Sequence, residues 1–235
     1  MPPLRDMPAL NIDQTELAAF GAVWQTNGGN LSRTPPYNSP QLCQLFDRSV
    51  GAALAAMLGD IPIVVPKGTA LIPPEKDCVE VGPVRVIGGV RSQNFDVGYR
   101  PDGLRFAFDS KSLNEKKSIG KNYQNMINDL ATEATTVHSR FPYAVVGFGV
   151  IVPEPCLGMT QLAGLLQTLE RLGQRDGVND PLYFAEAIFL AVWNPVDGSI
   201  SNTIPDISSP IRIDWFSDRV ARAYATRYKG LPPHV

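Results

Sequence analysis

Residues 94–111, NFDVGYRPDGLRFAFDSK, alternate apolar and polar side chains on both sides of Pro101-Asp102-Gly103. Phe95, Val97 and Tyr99 share one face, with Asp96, Gly98 and Arg100 between them. Leu104, Phe106 and Phe108 repeat the pattern, with Arg105, Ala107, Asp109 and Lys111 between them. Period-two alternation either side of a turn predicts two antiparallel strands. Their apolar faces must coincide, because a one-residue slip would put one of them in water. The matching register sets Tyr99 opposite Leu104 and Val97 opposite Phe106. Asp96 then lies opposite Ala107 and diagonal to Asp109, roughly 7–8 Å away at the backbone. Lys111 follows one step along on the same face.

Two carboxylates facing one another repel and resist burial unless a cation sits between them. Hard oxygen ligands with open positions suit magnesium, which is commonly held by one or two carboxylates plus water and substrate phosphate. Such an ion stabilises charge on a phosphodiester and lowers the pKa of a bound water. A lysine beside it can orient that water or stabilise the developing negative charge. The competing reading of the hairpin is an exposed sheet face with solvated charges. Glu115-Lys116-Lys117 has the same acid-x-lysine spacing as Asp109-Ser110-Lys111 but precedes a helix. Asp102 belongs to the turn chemistry of Pro-Asp-Gly and is expected at a loop tip.

Asp, a hairpin and then Asp-x-Lys resembles the PD-(D/E)xK nuclease superfamily, which includes many type II restriction endonucleases. The resemblance covers residues 80–152. It implies that Asp96 and Asp109 bind Mg2+, that Ser110 offers its backbone carbonyl to the metal, and that Lys111 assists the attacking water. It implies an α/β, restriction-endonuclease-like sandwich: a mixed central β-sheet with an αβββαβ core flanked by helices. It further implies cleavage of double-stranded DNA at a specific sequence, with a repair or structure-selective nuclease or a non-catalytic DNA-binding or assembly protein as the alternatives. Cutting both strands of a symmetric target is simplest for a twofold homodimer. In this family a helix before the sheet often supplies a glutamate to the metal. The helix expected at 40–58 carries only Asp47. That leaves the third ligand to Asp47, Glu80 or neither, and Asp47 beside Arg48 reads more simply as a surface charge.

The chain has 235 residues, 44% hydrophobic and 19% charged, which describes a globular protein with material for a sizeable core. It is read as a single domain: a helical part at 1–60, the core at 80–152, and a sheet extension with C-terminal helices at 153–235. A net charge of −2 excludes the strongly basic footprint of a nonspecific nucleic-acid binder, so DNA contact requires a local patch. Lys116, Lys117, Lys121 and Asn122, at the start of the helix after the hairpin, are the candidates. They are equally readable as a solvated face. Three scattered cysteines, Cys43, Cys78 and Cys156, point to reduced thiols and a cytoplasmic location. Residues 1–13, MPPLRDMPALNID, hold no apolar core of signal-peptide length, and no run approaches the ~18 apolar residues expected of a membrane span. Two histidines, His138 and His234, argue against a histidine-based zinc centre or catalytic triad.

In chain order, residues 13–25 read as a helix with Asp13 as N-cap and Glu16 as its capping-box partner. Residues 40–58 form a second helix closed by Gly59. Strands are expected at 61–65 and within 79–90, and a helix from Ile119 to Ser139 with a stripe of Tyr123, Met126, Ile127, Leu130, Ala134 and Val137. His138, at the end of that helix, suits the dipole there. Residues 143–152 are an unbroken apolar run, as in a strand covered on both faces. A leucine-striped helix at Met159–Gln174 is core or a dimer seam. A second buried strand at 183–194 and a helix at Trp215–Lys229 complete the chain.

Overall fold

The computed structural model describes residues 4–117, 119–156 and 158–233, with Lys121 described by its backbone alone. Two helices, α1 (Gln14–Thr26) and α2 (Ser39–Met57), precede four strands, β1 (Ile63–Val64), β2 (Val79–Ile87), β3 (Ser92–Tyr99) and β4 (Phe106–Ser112). Then come α3 (Ile119–His138), β5 (Val145–Pro153), α4 (Met159–Leu172), β6 (Ala187–Trp193) and α5 (Ile213–Tyr228). The strands form one six-stranded mixed sheet in the order β1-β2-β3-β4-β5-β6. β2, β3 and β4 are antiparallel neighbours, and the other pairings are parallel. With the short β1 standing between α2 and β2, the order α2-β1-β2-β3-β4-α3-β5 contains the expected αβββαβ succession. β5 and β6 are buried at every position, as their unbroken apolar sequences require.

An aromatic cluster fixes which helices cover which face. Phe108 of β4 stacks on Phe189 of β6, and Phe216 of α5 meets both edge-on at 5.6 and 5.1 Å between centroids. Phe46 of α2 stacks on Phe189 from the same side. Gly149 of β5 makes room for this cluster, since a Cβ there would lie 2.5 Å from the Phe189 ring. Alternation along β4 sends Asp109 and Lys111 to the opposite face. There Lys111 meets Glu133 of α3. α4 packs beside α3 and against β6. Leu165, Leu169 and Leu172 of its stripe are buried and Leu162 and Leu166 pack against the same core, so the leucine stripe is core.

The hairpin register differs from expectation by two residues. Val97 pairs with Phe108, Gly98 with Ala107 and Tyr99 with Phe106. The shift keeps every strand side chain on its expected face but enlarges the turn. Arg105 leaves the strand: its guanidinium pairs with Asp102 at the turn and lies 4.7 Å over the Tyr228 ring. Its N–H closes the loop on the Tyr99 carbonyl at 2.9 Å.

Two helix-end expectations also need adjustment. Asp13 caps α1 by accepting from the N–H groups of Thr15 and Glu16. Glu16 does not complete a capping box; its carboxylate pairs with Arg48 of α2 at 2.8 Å. Leu58 is the C-cap of α2, and Gly59 follows it at φ +94°, a conformation suited to glycine. His138 is buried against Leu182 and Glu186, at 3.0 Å from the Leu182 carbonyl oxygen and 3.3 Å from the Glu186 carboxylate. It stands in the last turn of α3, where the dipole favours a basic group, and the buried Glu186 carboxylate is a second partner. Cys43, Cys78 and Cys156 are free thiols. Among the described residues, no helix is long and apolar enough to cross a membrane.

Glu80, one candidate for a third metal ligand, is occupied elsewhere. It is fully buried in β2 and takes a two-pronged ion pair from Arg100, with N–O distances of 2.6 and 2.8 Å. Arg100 also donates to the carbonyls of Arg85 and Ala70, tying the loop after β1 to the hairpin. Removing one member strands the other charge in the interior. Glu80→Ala is expected to lower the free energy of urea unfolding by about 3–5 kcal/mol, and the double change Glu80→Leu with Arg100→Met to recover most of that loss.

Candidate active site at the fork between two strands

The ladder between β3 and β4 ends at Val97 and Phe108, yet both strands continue. β4 stays paired with β5 along its whole length, from Phe106–Val145 to Ser112–Ile151. β3 stays with β2, whose pairing is interrupted by a bulge between Val81 and Val84. Asp96 thus lies one step past the end of one ladder and opposite the irregularity in the other. The strands fork, and the side chains of Asp96 and Asp109 stand at the opening.

Ser110 holds the fork together. Its N–H, on the β4 edge that β3 has left, donates to Asp96 Oδ2 at 3.0 Å. Its hydroxyl donates to Asp47 Oδ1 of α2 at 2.7 Å and lies 3.4 Å from Asp96 Oδ2. A residue in an extended strand sends its N–H and C=O to the same side. The Ser110 carbonyl is therefore also directed into the fork. Lys111 forms ion pairs with Asp109 and, at 3.0 Å, with Glu133 of α3. One helix from each face of the sheet thus contributes an acid.

The electrostatics follow from burial and crowding. Burial, then the Asp109 charge, push Asp96 up to about 7. Burial, then the Glu133 charge, push Asp109 up to about 6. Burial and the Asp96 charge raise Asp47 well above the usual carboxylate range, partly eased by the Ser110 hydroxyl. Glu133 is raised by burial, against the pull of Lys111. Burial would lower the Lys111 pKa, but Asp109 and Glu133 outweigh it and hold the ammonium above its ordinary value. Cys43, one turn before Asp47, is pushed up to about 12 by burial and by Asp47, which makes it a poor nucleophile.

A cavity of about 490 Å³ opens on these groups between α2 and α3. Its helix walls include Gln44 and Asp47 on one side and Asn122, Asn125 and Asp129 on the other. A second cleft of about 760 Å³ meets it at Gln44, Asp47 and Asp96 and runs along β1 and the β2 bulge. Among the described residues, no three His, Cys, Asp or Glu side chains close around one point as a ready-made cage. An open pair of carboxylates with room for water and phosphate is the kind of site magnesium accepts. The chemistry of the donors fits: Asp96 and Asp109 are hard oxygen groups raised first by burial, Asp96 then by the Asp109 charge and Asp109 by that of Glu133, and a divalent cation between them would offset the cost of burying those charges.

The structure brings Asp96, Asp109, Ser110 and Lys111 together and takes Asn122 to the cleft wall. Asp47 is buried and bonded into the site, so the surface-charge reading of it is wrong. Lys116 and Lys117 are exposed but absent from the cleft lining among the described residues. Their loop is drawn towards α1, where the Lys116 N–H donates to Gly29 and the Trp24 indole to the Asn114 carbonyl. The Lys121 side chain lies outside the described residues. Glu115-Lys116-Lys117 is exposed before α3, off the sheet. Glu133 was not anticipated; its signal was a carboxylate within the apolar stripe of α3, three residues after Leu130 and next to Ala134.

Carboxylates whose folded-state pKa is raised contribute stability that is full below their unfolded value and lost as pH rises through the folded value. The metal-free protein should therefore lose thermal stability between about pH 4 and pH 7, the span between the ordinary aspartate value and that of Asp96. Asp96→Asn should flatten that loss and raise the melting temperature at pH 8, as read by thermal denaturation in chelator. Comparison with protein-family models, curated proteins and solved structures finds no match to this chain.

Proposed function

We propose that this chain is a magnesium-dependent endodeoxyribonuclease with a restriction-endonuclease-like fold, hydrolysing phosphodiester bonds of double-stranded DNA at a specific sequence as a homodimer. The observation that carries the reading is the convergence of Asp47, Asp96, Asp109 and Lys111 on a strand fork that opens into two connected clefts. Two clefts meeting at the acids suit a polymer that enters and leaves past a central bond.

In this reading Asp96 and Asp109 hold the metal together with the Ser110 carbonyl, and Asp47 orients the site through the Ser110 hydroxyl. Bound magnesium supplies Lewis acidity towards the phosphate and a lowered pKa for an attached water. Lys111 lies beside Asp109, where its ammonium can orient the attacking water and stabilise charge building on the phosphate. Asn122, Asn125 and Gln44 present neutral donors and acceptors to the nucleic acid from the cleft walls. A single site cuts one strand per visit, so paired cleavage of a symmetric target calls for a twofold dimer.

The test is incubation with mixed-sequence phage DNA in magnesium and in chelator. Discrete fragments that require magnesium are expected. Asp109→Ala should abolish them, and Lys111→Ala should slow cleavage about 100-fold or more. A magnesium-dependent smear or nicking would replace sequence specificity with a structure-selective or repair activity at the same site. Cutting that survives both substitutions, or none on diverse DNA, would remove Asp109 and Lys111 from any such mechanism.

A further inference from the structure

Lys111 has two acidic partners that come from different elements. Asp109 lies two residues earlier on β4, and Glu133 reaches across from α3. The Asp109 and Glu133 side chains are 9% and 8% exposed, while that of Lys111 is 27% exposed. Glu133 Oε2 is buried and takes no hydrogen bond. Among the described residues Lys111 is the one cationic side chain lining the catalytic cleft, against Asp47, Asp96, Asp109 and Asp129. The Asp109 carboxylate therefore has two possible counter-ions: the ammonium now paired with it, and a divalent cation shared with Asp96.

Those two cannot occupy Asp109 on equal terms. They repel one another, and they compete for the same carboxylate. An ammonium displaced from Asp109 with no second partner would be left as a partly buried, unpaired charge, which is costly. Glu133 removes that cost. We infer that Lys111 is a built-in counter-ion that is shared by Asp109 and Glu133 in the metal-free protein and gives up Asp109, held by Glu133 alone, when the cation binds, Glu133 acting as the positioning residue for the exchange. The inference rests on the reading of Asp96 and Asp109 as the metal-holding pair.

This geometry makes Lys111 and Glu133 opposite in sign for metal affinity. Lys111 weakens cation binding by competing for Asp109. Glu133 strengthens it by giving the ammonium somewhere to go. The effect of Glu133 should then exist only while Lys111 is present. A general field effect of one more negative charge would act whether or not the lysine is there.

The experiment is calcium and magnesium binding to the full chain without DNA, by calorimetry and by thermal shift. The proteins compared are wild type, Lys111→Met, Glu133→Gln and the double variant. Lys111→Met is expected to tighten cation binding about tenfold, and Glu133→Gln to weaken it about tenfold. Adding Glu133→Gln to Lys111→Met should change affinity less than about threefold. Glu133→Asp, which keeps the charge, should stay close to wild type and serves as the readout if Glu133→Gln does not fold. Independent, additive effects would overturn the exchange, as would a Lys111→Met protein that binds no tighter than wild type. A wild-type chain that binds neither cation would instead overturn the metal reading of Asp96 and Asp109, and the exchange with it.

Discussion

The site depends on one hydrogen bond, from the Ser110 N–H to the Asp96 carboxylate. β4 is committed to β5 along its full length and cannot follow β3 past Phe108. β3 is committed to β2 on its other side. Where they part, β4 exposes a donor in a part-buried setting, and a backbone N–H left unpaired away from water is expensive. A side chain from the departing strand satisfies it. Because that side chain is an aspartate, the repair of a broken ladder also installs a negative charge beside Asp109. The Ser110 hydroxyl extends the same junction to Asp47 on α2. A structural necessity of the fork thus gathers the acids, and bulges and strand ends next to active sites follow the same logic.

Buried acids elsewhere in the chain show how unusual this cluster is. Glu80 is matched by the two-pronged guanidinium of Arg100. Glu186 is surrounded by Arg175, Arg227, His138 and the Val146 N–H. Burial pushes Glu186 upwards, but those partners outweigh it and hold it below its ordinary value. At the fork the balance is reversed: Asp47, Asp96, Asp109 and Glu133 are all raised, with Lys111 as the cation among them. Acids that serve the fold have been given cations, and acids at the fork have been left short of them. Shifts of that kind gather where a ligand or a reaction supplies the missing charge. The aromatic cluster of Phe46, Phe108, Phe189 and Phe216 lies directly behind the fork and supplies apolar burial that can offset the repulsion.

Much of this was readable from side-chain alternation. Period two along residues 94–111 assigned the faces of the residues that stay in β3 and β4 correctly, because parity survives a two-residue change of register. The register itself was not readable: it is set by Arg105 leaving the strand for Asp102 and Tyr228, and Tyr228 comes from the far end of the chain. Asp47 was hidden by its neighbour. Consecutive helix residues point about 100° apart, so Arg48 can reach outward to Glu16 while Asp47 turns in to Ser110. Glu133 was visible in principle as an acid in an apolar stripe, but only the fold shows that Lys111 lies across from it. The position of the lysines at 116 and 117 relative to the cleft was not readable either, because a backbone bond from Lys116 to Gly29 draws their loop towards α1.

On the nuclease reading, the charge of the site also orders its events. A cleft lined by Asp47, Asp96, Asp109 and Asp129, with Lys111 as its described cation, repels a polyanion. The chain as a whole, at −2, does not correct for this by a general positive field. Attraction for a phosphate must then be supplied locally, at the point where the acids converge, and only after they have been neutralised. A strand lying across the two clefts passes over Asp96, where they meet. On that reading the cation would be the group that makes the groove able to accept its substrate, rather than an addition to a competent binding groove. An acidic chain with a fork full of aspartates can handle nucleic acid on that condition, and its cleavage and its grip on DNA would share one dependence on the metal.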